Sequence, residues 1–274
     1  MIEKKSLKYF FKPYILNFVA STLFFAATAT YAETKADQSA NIFVNGSGAT
    51  ISIKLCHESS CKTIKTPAEM LDAMDDGYSQ ISLEDLTLDG VNEIILTHSA
   101  EGNVNICSKV FQYNNESKKL QNLTTLKKQI CNYSINENNL ISTYKDGAKW
   151  HEDIYKTDNN SIHLAFSDSC IGCEYIKRIV YSDDAKTENI LVTDNPNYLL
   201  RTPISTTITT KKAVLYSEPT IKYATKMYLI SGDEVLLTDD SSDESHFWFK
   251  IRYTTKKGKH INAWLKCEDI EYCD

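Results

Sequence analysis

LISTYKDGAKWHEDIYKTDNNSIHLAF, residues 140–166, holds three short strand-like segments between two turn signals. The segments are Leu140–Tyr144, His151–Lys156 and Ser161–Phe166. Asp146-Gly147 and Asp158-Asn159-Asn160 separate them, and these are residues that tolerate the backbone angles of tight turns. The same rhythm extends outward, to Glu174–Tyr181 on one side and to Asn105–Tyr113 and Glu93–His98 on the other. Asp89-Gly90 and Asn114-Asn115 punctuate the earlier strands. Further upstream, Ile51, Ile53 and Leu55 alternate with Ser52 and Lys54, the period of a half-buried strand. One short helix is expected at residues 66–74, with Pro67 just inside it and Met70, Leu71 and Met74 on one face. A strand about every ten residues predicts a mainly β chain, an antiparallel β-sandwich or propeller-like meander over residues 45–194. Sixteen tyrosines and ten phenylalanines agree, since flat aromatics pack well on pleated surfaces.

The chain of 274 residues opens as an export signal. Lys4, Lys5, Lys8 and Lys12 precede an apolar stretch from Tyr14 to Ala27, and the small residues Thr28–Ala32 follow. This order predicts a cleaved signal peptide over 1–32, cut after Ala32 or alternatively after Ala29. Residues 33–44 read as a flexible lead-in. No cysteine stands at the cut, so neither a lipid nor a stable membrane anchor is expected after cleavage. Cleavage leaves 242 residues, and the loss of four lysines and Glu3 moves the formal net charge from −6 to −9. So acidic a chain is a poor generic nucleic-acid binder, because duplex binding needs basic surface to displace counterions.

All eight cysteines lie beyond the signal: Cys56, Cys61, Cys107, Cys131, Cys170, Cys173, Cys267 and Cys273. An even count in an exported chain implies disulfides and a periplasmic location. Eight cysteines allow 105 connectivities. Local pairing favours Cys56–Cys61, Cys107–Cys131, Cys170–Cys173 and Cys267–Cys273. Cys170-Ile171-Gly172-Cys173 has redox spacing, yet no helix signal follows it, so a structural staple is expected.

Residues 195–208 break the rhythm with Asp194-Asn195-Pro196-Asn197 and a threonine-rich extended piece, and they read as a linker. Residues 209–274 begin again with five short strands, the pattern of a small barrel. This second unit resembles the bacterial SH3-like domain. The resemblance lies in Ala213–Pro219, Tyr228–Val235 with its Gly232-Asp233, Trp248–Tyr253 and Ala263-Trp264-Leu265. Ala263 stands where glycine is usual. The resemblance implies a small β-barrel that binds wall peptides or proteins.

Residues 45–182 resemble small exported bacterial proteins related to periplasmic lysozyme inhibitors and to immunity proteins against secreted antibacterial effectors. Leu83–Leu96, Cys107–Tyr113 and Trp150–Tyr155 carry the resemblance, and the acidic loop is also similar to one FG-GAP repeat. The resemblance implies a protein that binds and blocks another protein without enzyme activity. The acidic loop places oxygens at alternate positions: Asp85, Thr87 and Asp89, then Gly90, the Val91 carbonyl and Glu93. That spacing suits calcium, which takes six to eight oxygen ligands. A structural calcium ion is one expectation for it, and an ordinary tight turn with solvated acids is the other.

Enzyme signatures are lacking. His151-Glu152 has Tyr155 where a zinc-protease motif needs its second histidine. Asn45-Gly46-Ser47-Gly48 is not a nucleophile elbow. No phosphate-binding glycine loop is present, and the six histidines are scattered. Candidate partner contacts are Trp150, Trp248 and Trp264, with Lys256, Lys257 and Lys259 of a basic hairpin. Of Trp248 and Trp264, one is expected in the core. The functional expectation is a non-enzymatic periplasmic binding protein that neutralises an antibacterial effector or wall hydrolase. An envelope module that holds peptidoglycan through the second unit is the alternative.

Overall fold

The computed structural model describes residues 41–46, 50–98, 102–126, 128–158, 160–182 and 185–273. The signal peptide and most of the lead-in lie outside the described residues. The first elements are β1 (Asn41–Asn45), β2 (Ser52–His57), β3 (Ser60–Ile64) and α1 (Ala68–Asp75). They are followed by β4 (Tyr78–Glu84), β5 (Glu93–His98), β6 (Cys107–Asn114), β7 (Lys119–Asn122) and β8 (Ile130–Cys131). A run of longer strands comes next: β9 (Ser134–Asn136), β10 (Asn139–Asp146), β11 (Lys149–Asp158), β12 (Ser161–Ile171), β13 (Tyr175–Ser182) and β14 (Ala185–Thr193). The chain closes with β15 (Ser205–Thr207), β16 (Ala213–Tyr216), β17 (Ala224–Leu229), β18 (Glu234–Ser242), β19 (Phe247–Thr254) and β20 (His260–Lys266). The chain is mainly β, and every strand pairing is antiparallel.

The strands form four sheets: β1-β2-β3, then β4-β5-β6-β7 with β8 on β6, then β14-β13-β12-β11-β10-β9, and finally β15-β18-β19-β20-β16-β17. Strand β5 explains the stacking. Its Ile94-Ile95-Leu96 run is apolar at every position, as a strand covered on both faces must be. Ile94 and Leu96 join Ile53, Leu55 and Met70 beneath the first sheet and α1. Ile95 points the other way, to Leu140, Tyr155 and Leu164 of the third sheet. The first three sheets are therefore a layered sandwich with β4–β7 in the middle. The fourth sheet gathers Leu215, Leu229, Leu237, Phe249, Ile251 and Leu265 into one core, with at least one residue from each of β16 to β20.

The residues expected as a linker, 195–208, run as a hydrogen-bonded strip between the third and fourth sheets. The Ile204 amide donates to the Leu191 carbonyl of β14, and the Leu237 amide of β18 donates to the Ile204 carbonyl, both at 2.9 Å. Leu191 itself is buried in the core of the fourth sheet. Leu236 of β18 packs in return on Ile176, Ile190 and Val192. Tyr175 lies against Phe249 and Tyr272, with ring centroids 6.1 and 6.3 Å away. The Lys177 ammonium pairs with Asp240 at 2.6 Å and Asp239 at 3.0 Å. The sandwich and the C-terminal sheet thus share backbone hydrogen bonds, core and ion pairs, and residues 38–274 form one compact unit.

The four disulfides pair the cysteines locally, as expected: Cys56–Cys61, Cys107–Cys131, Cys170–Cys173 and Cys267–Cys273. No described cysteine is free, which fits an exported protein. Among the described residues, no helix is long and apolar enough to cross a membrane. Loop length ranks the bridges, because a cross-link removes more freedom from the unfolded chain when it closes a longer loop. Cys107–Cys131 spans 24 residues and Cys170–Cys173 only 3. Replacing the first pair by serine is expected to cost about 3 kcal/mol, and the second about 2 kcal/mol or less. Urea midpoints of the two variants check the order.

Candidate binding surface

The acidic loop is built around its own carboxylates. Glu93 is 2% exposed. Its Oε2 accepts from the Leu86 amide at 2.7 Å and the Thr87 amide at 3.2 Å, and its Oε1 accepts from the Thr87 hydroxyl at 3.0 Å. The two Asp85 oxygens accept from the amides of Asp89 and Gly90. Asp89 accepts from the Val91 amide. Burial pushes the Glu93 carboxyl up to about 7, against the three hydrogen bonds, which favour its ionised form. Glu93 turns inward onto loop donors, while the half-buried Asp85 and exposed Asp89 cap loop amides nearer the surface. Among the described residues, no group of three or more His, Cys, Asp or Glu side chains is placed to hold a metal ion. Asp85, Thr87, Asp89, Val91 and Glu93 thus form a self-capped turn, with Glu93 as the buried carboxyl that ties it.

A second polar cluster pins the strip at 195–201. The chain has only three arginines against 27 lysines, and each is engaged with a carboxylate. Arg178 forms a two-pronged pair with fully buried Asp168, its Nε and Nη2 donating at 2.7 and 2.6 Å. Arg201 reaches the same carboxylate at 2.6 Å and Glu152 at 2.7 Å, and donates from Nε to the Asn195 carbonyl. The planar guanidinium fork makes these paired contacts where a lysine would make one. No sequence motif marks this cluster. The rarity of arginine was its one available signal.

The six expected contact residues do not form one patch. Trp248 is 0% exposed; it packs edge-on against Tyr216 at 4.9 Å and donates from Nε1 to Asp243. It is a core residue, which corrects its assignment to a partner. Trp264 is partly exposed and lies across β19–β20 from Lys250, whose ammonium stands 6.0 Å from its ring centroid. Lys256, Lys257 and Lys259 are exposed in the turn of the same hairpin. Trp150 belongs to the third sheet, paired with Lys145 and Ile171.

The structure adds an apolar strip that periodicity did not reveal. Ile221, Tyr223, Met227, Tyr228 and Ile230 are 45–61% exposed. All lie on or beside β17, the edge strand of the fourth sheet. Lys212 stands 4.9 Å from the Tyr228 ring centroid, and Lys222 and Lys226 are exposed along the same segment. The signal was available as large apolar residues interleaved with lysines over 221–230, a pattern that by itself indicates only a strand. The histidines are dispersed. His151 stacks on Tyr144, His98 meets Tyr78 edge-on, and His260 bonds to Thr254.

No known protein family matches the chain, and no curated protein does. Among solved structures, the chain is similar to a Xanthomonas type IV secretion system related protein. The likeness has 19% identity and a TM-score of 0.37, and it covers 54% of this chain and 84% of the other.

Proposed function

We propose that the protein is a non-enzymatic, exported binding protein that neutralises an antibacterial effector or lysozyme-like wall hydrolase in the periplasm. The apolar strip on β17 carries the reading. Met227 and Tyr228 on this open edge strand, with Ile221, Tyr223 and Ile230 at its two ends, are a surface that a protein partner covers, whereas a soluble monomer normally blunts such an edge. Lys226 is the main blunting device in the strand itself. The SH3-like hairpin, with Trp264, Lys256, Lys257 and Lys259, would form the polar rim of that interface. The partner class comes from the resemblance of residues 45–182 to inhibitor and immunity proteins. The acidic mature chain suits a basic hydrolase through electrostatic steering.

The rival reading, an envelope module holding peptidoglycan, fits a barrel on a free tether. Here the strip 195–208 locks the C-terminal sheet to the sandwich, which favours one rigid binding body. The test is affinity capture of residues 33–274 from periplasmic extract and from the lysate of a competing strain. The expected result is a stoichiometric protein whose lytic activity falls on mixing. Recovery with wall fragments alone, or a captured protein whose activity is untouched, would contradict the proposal.

A further inference from the structure

Besides the apolar strip, the molecule carries a polar groove at the seam between β14 and the C-terminal sheet. We infer that this groove, lined by Lys186, Glu188 and Asn189 of β14 and by Lys250, Arg252 and Asn262 of the C-terminal sheet, binds an extended acidic segment of a protein partner. The groove encloses about 310 Å3. Its floor is the outward face of β19–β20, where Lys250 pairs across with Trp264 and Arg252 with Asn262. Its wall is the first half of β14.

Three observations select the occupant. The first is charge. The groove gathers two lysines and an arginine against one acid, on a chain whose net charge is −6. A basic site on an acidic body attracts an acidic element locally and repels a basic one. The second is the strand edge. β14 pairs with β13 on one side. On its other side, residues 202–204 engage only its end, through Leu191, Val192 and Thr193. The Leu191 carbonyl points to that side, so the backbone groups of Asn189, two residues earlier, do too, because alternate residues of a strand face the same neighbour. Among the described residues, no strand pairs with 185–190 on that side. A peptide added there would gain main-chain hydrogen bonds while the flanking cations receive its carboxylates, the strand-addition mode of recognition. An extended polysaccharide offers no such alternation of amides and carbonyls, so a peptide is favoured over a wall polymer. The third is Glu188, whose carboxylate already pairs with Arg252. It holds the position that an incoming carboxylate would take. The buried Asn189 Oδ1 has no partner and adds an acceptor to the same wall.

The inference extends the proposed function without depending on the identity of the target. Its probe is a fluorescein-labelled (Glu-Val)4 peptide, with (Lys-Val)4 and soluble poly(glycerol phosphate) as controls, titrated by fluorescence anisotropy against the mature chain. Saturable binding of the glutamate peptide is expected, weakening with salt. Lys186→Glu with Lys250→Glu should reduce affinity at least about tenfold, whereas Lys118→Glu with Lys119→Glu, at exposed positions of the β6–β7 hairpin, should change it less than about twofold. Glu188→Gln should tighten binding, since it frees Arg252. Three results would overturn the inference: equal binding of both peptides, binding of poly(glycerol phosphate) alone, or equal losses in the two lysine pairs. A captured hydrolase that binds the Lys186→Glu, Lys250→Glu variant as tightly as wild type would remove the groove and leave the proposed function standing. Failure to capture any partner would remove that function while the peptide titration still decides the groove.

Discussion

Asp168→Ala is expected to lower stability by about 3–5 kcal/mol, the range seen when one member of a buried ion cluster is removed. The carboxylate is fully buried and receives three guanidinium contacts, two from Arg178 and one from Arg201. Removing it leaves Arg178 with the Tyr198 carbonyl, and Arg201 with Glu152 and the Asn195 carbonyl. Both arginines are themselves buried, so their unmet charge cannot turn to water. The damage should spread along the strip, because Arg201 lies three residues before Ile204, the residue that bonds to both neighbouring sheets. Glu152→Ala should cost less, since Glu152 is partly exposed and one contact is lost instead of three. Urea denaturation of the two variants measures the difference. Equal midpoints for Asp168→Ala and wild type would show that the cluster does not hold the strip.

Glu93 gives the second large effect, and its sign follows from burial. The folded carboxyl titrates near 7, above its ordinary value of 4.5. Between those values the folded chain binds more protons than the unfolded one, so stability falls as pH rises from about 4.5 through about 7. The contribution lost on going from pH 5 to pH 8 is up to about 3 kcal/mol, at about 1.4 kcal/mol for each tenfold difference in proton affinity between the folded and unfolded chains. Glu93→Gln keeps the shape of the side chain and cannot ionise. It should flatten that part of the profile and make the protein more stable than wild type at pH 8. A wild-type and Glu93→Gln pair with parallel stability profiles between pH 5 and pH 8 would refute the assignment.

Local features were legible in the sequence. The four close cysteine pairs gave the four bridges, and Asp146-Gly147 did mark the β10–β11 hairpin, with Asp146 opposite Lys149. The Asp85–Glu93 loop was legible as a tight turn, but its role was not. Motif spacing records which oxygens are available and not which way they point, and here Glu93 points into the core. Arg178 and Arg201 lie 10 and 33 residues beyond Asp168; the β12–β13 pairing brings Arg178 to it, and the strip at 195–208 brings Arg201. Their chemistry resembled ordinary surface charge until the sheet was assembled. The strip at 195–208 carried turn and threonine signals that a linker shares with a short edge strand. Its place was set by Tyr198, Arg201 and Ile204, each buried by contacts distant in sequence. Trp248 and Trp264 were equivalent by composition. The side of β19 or β20 on which each falls separated the core residue from the surface one.

Reception of a protein partner at the β17 edge is the central claim. The measurement that tests it most directly is the affinity of the captured partner for the wild-type mature chain and for Tyr228→Glu, a change at an exposed position on the pleated edge. A loss of at least about tenfold, with an unchanged urea midpoint, is the result predicted for an aromatic at the centre of an interface. Equal affinity of the two chains would contradict the claim and move the interface to another face of the molecule.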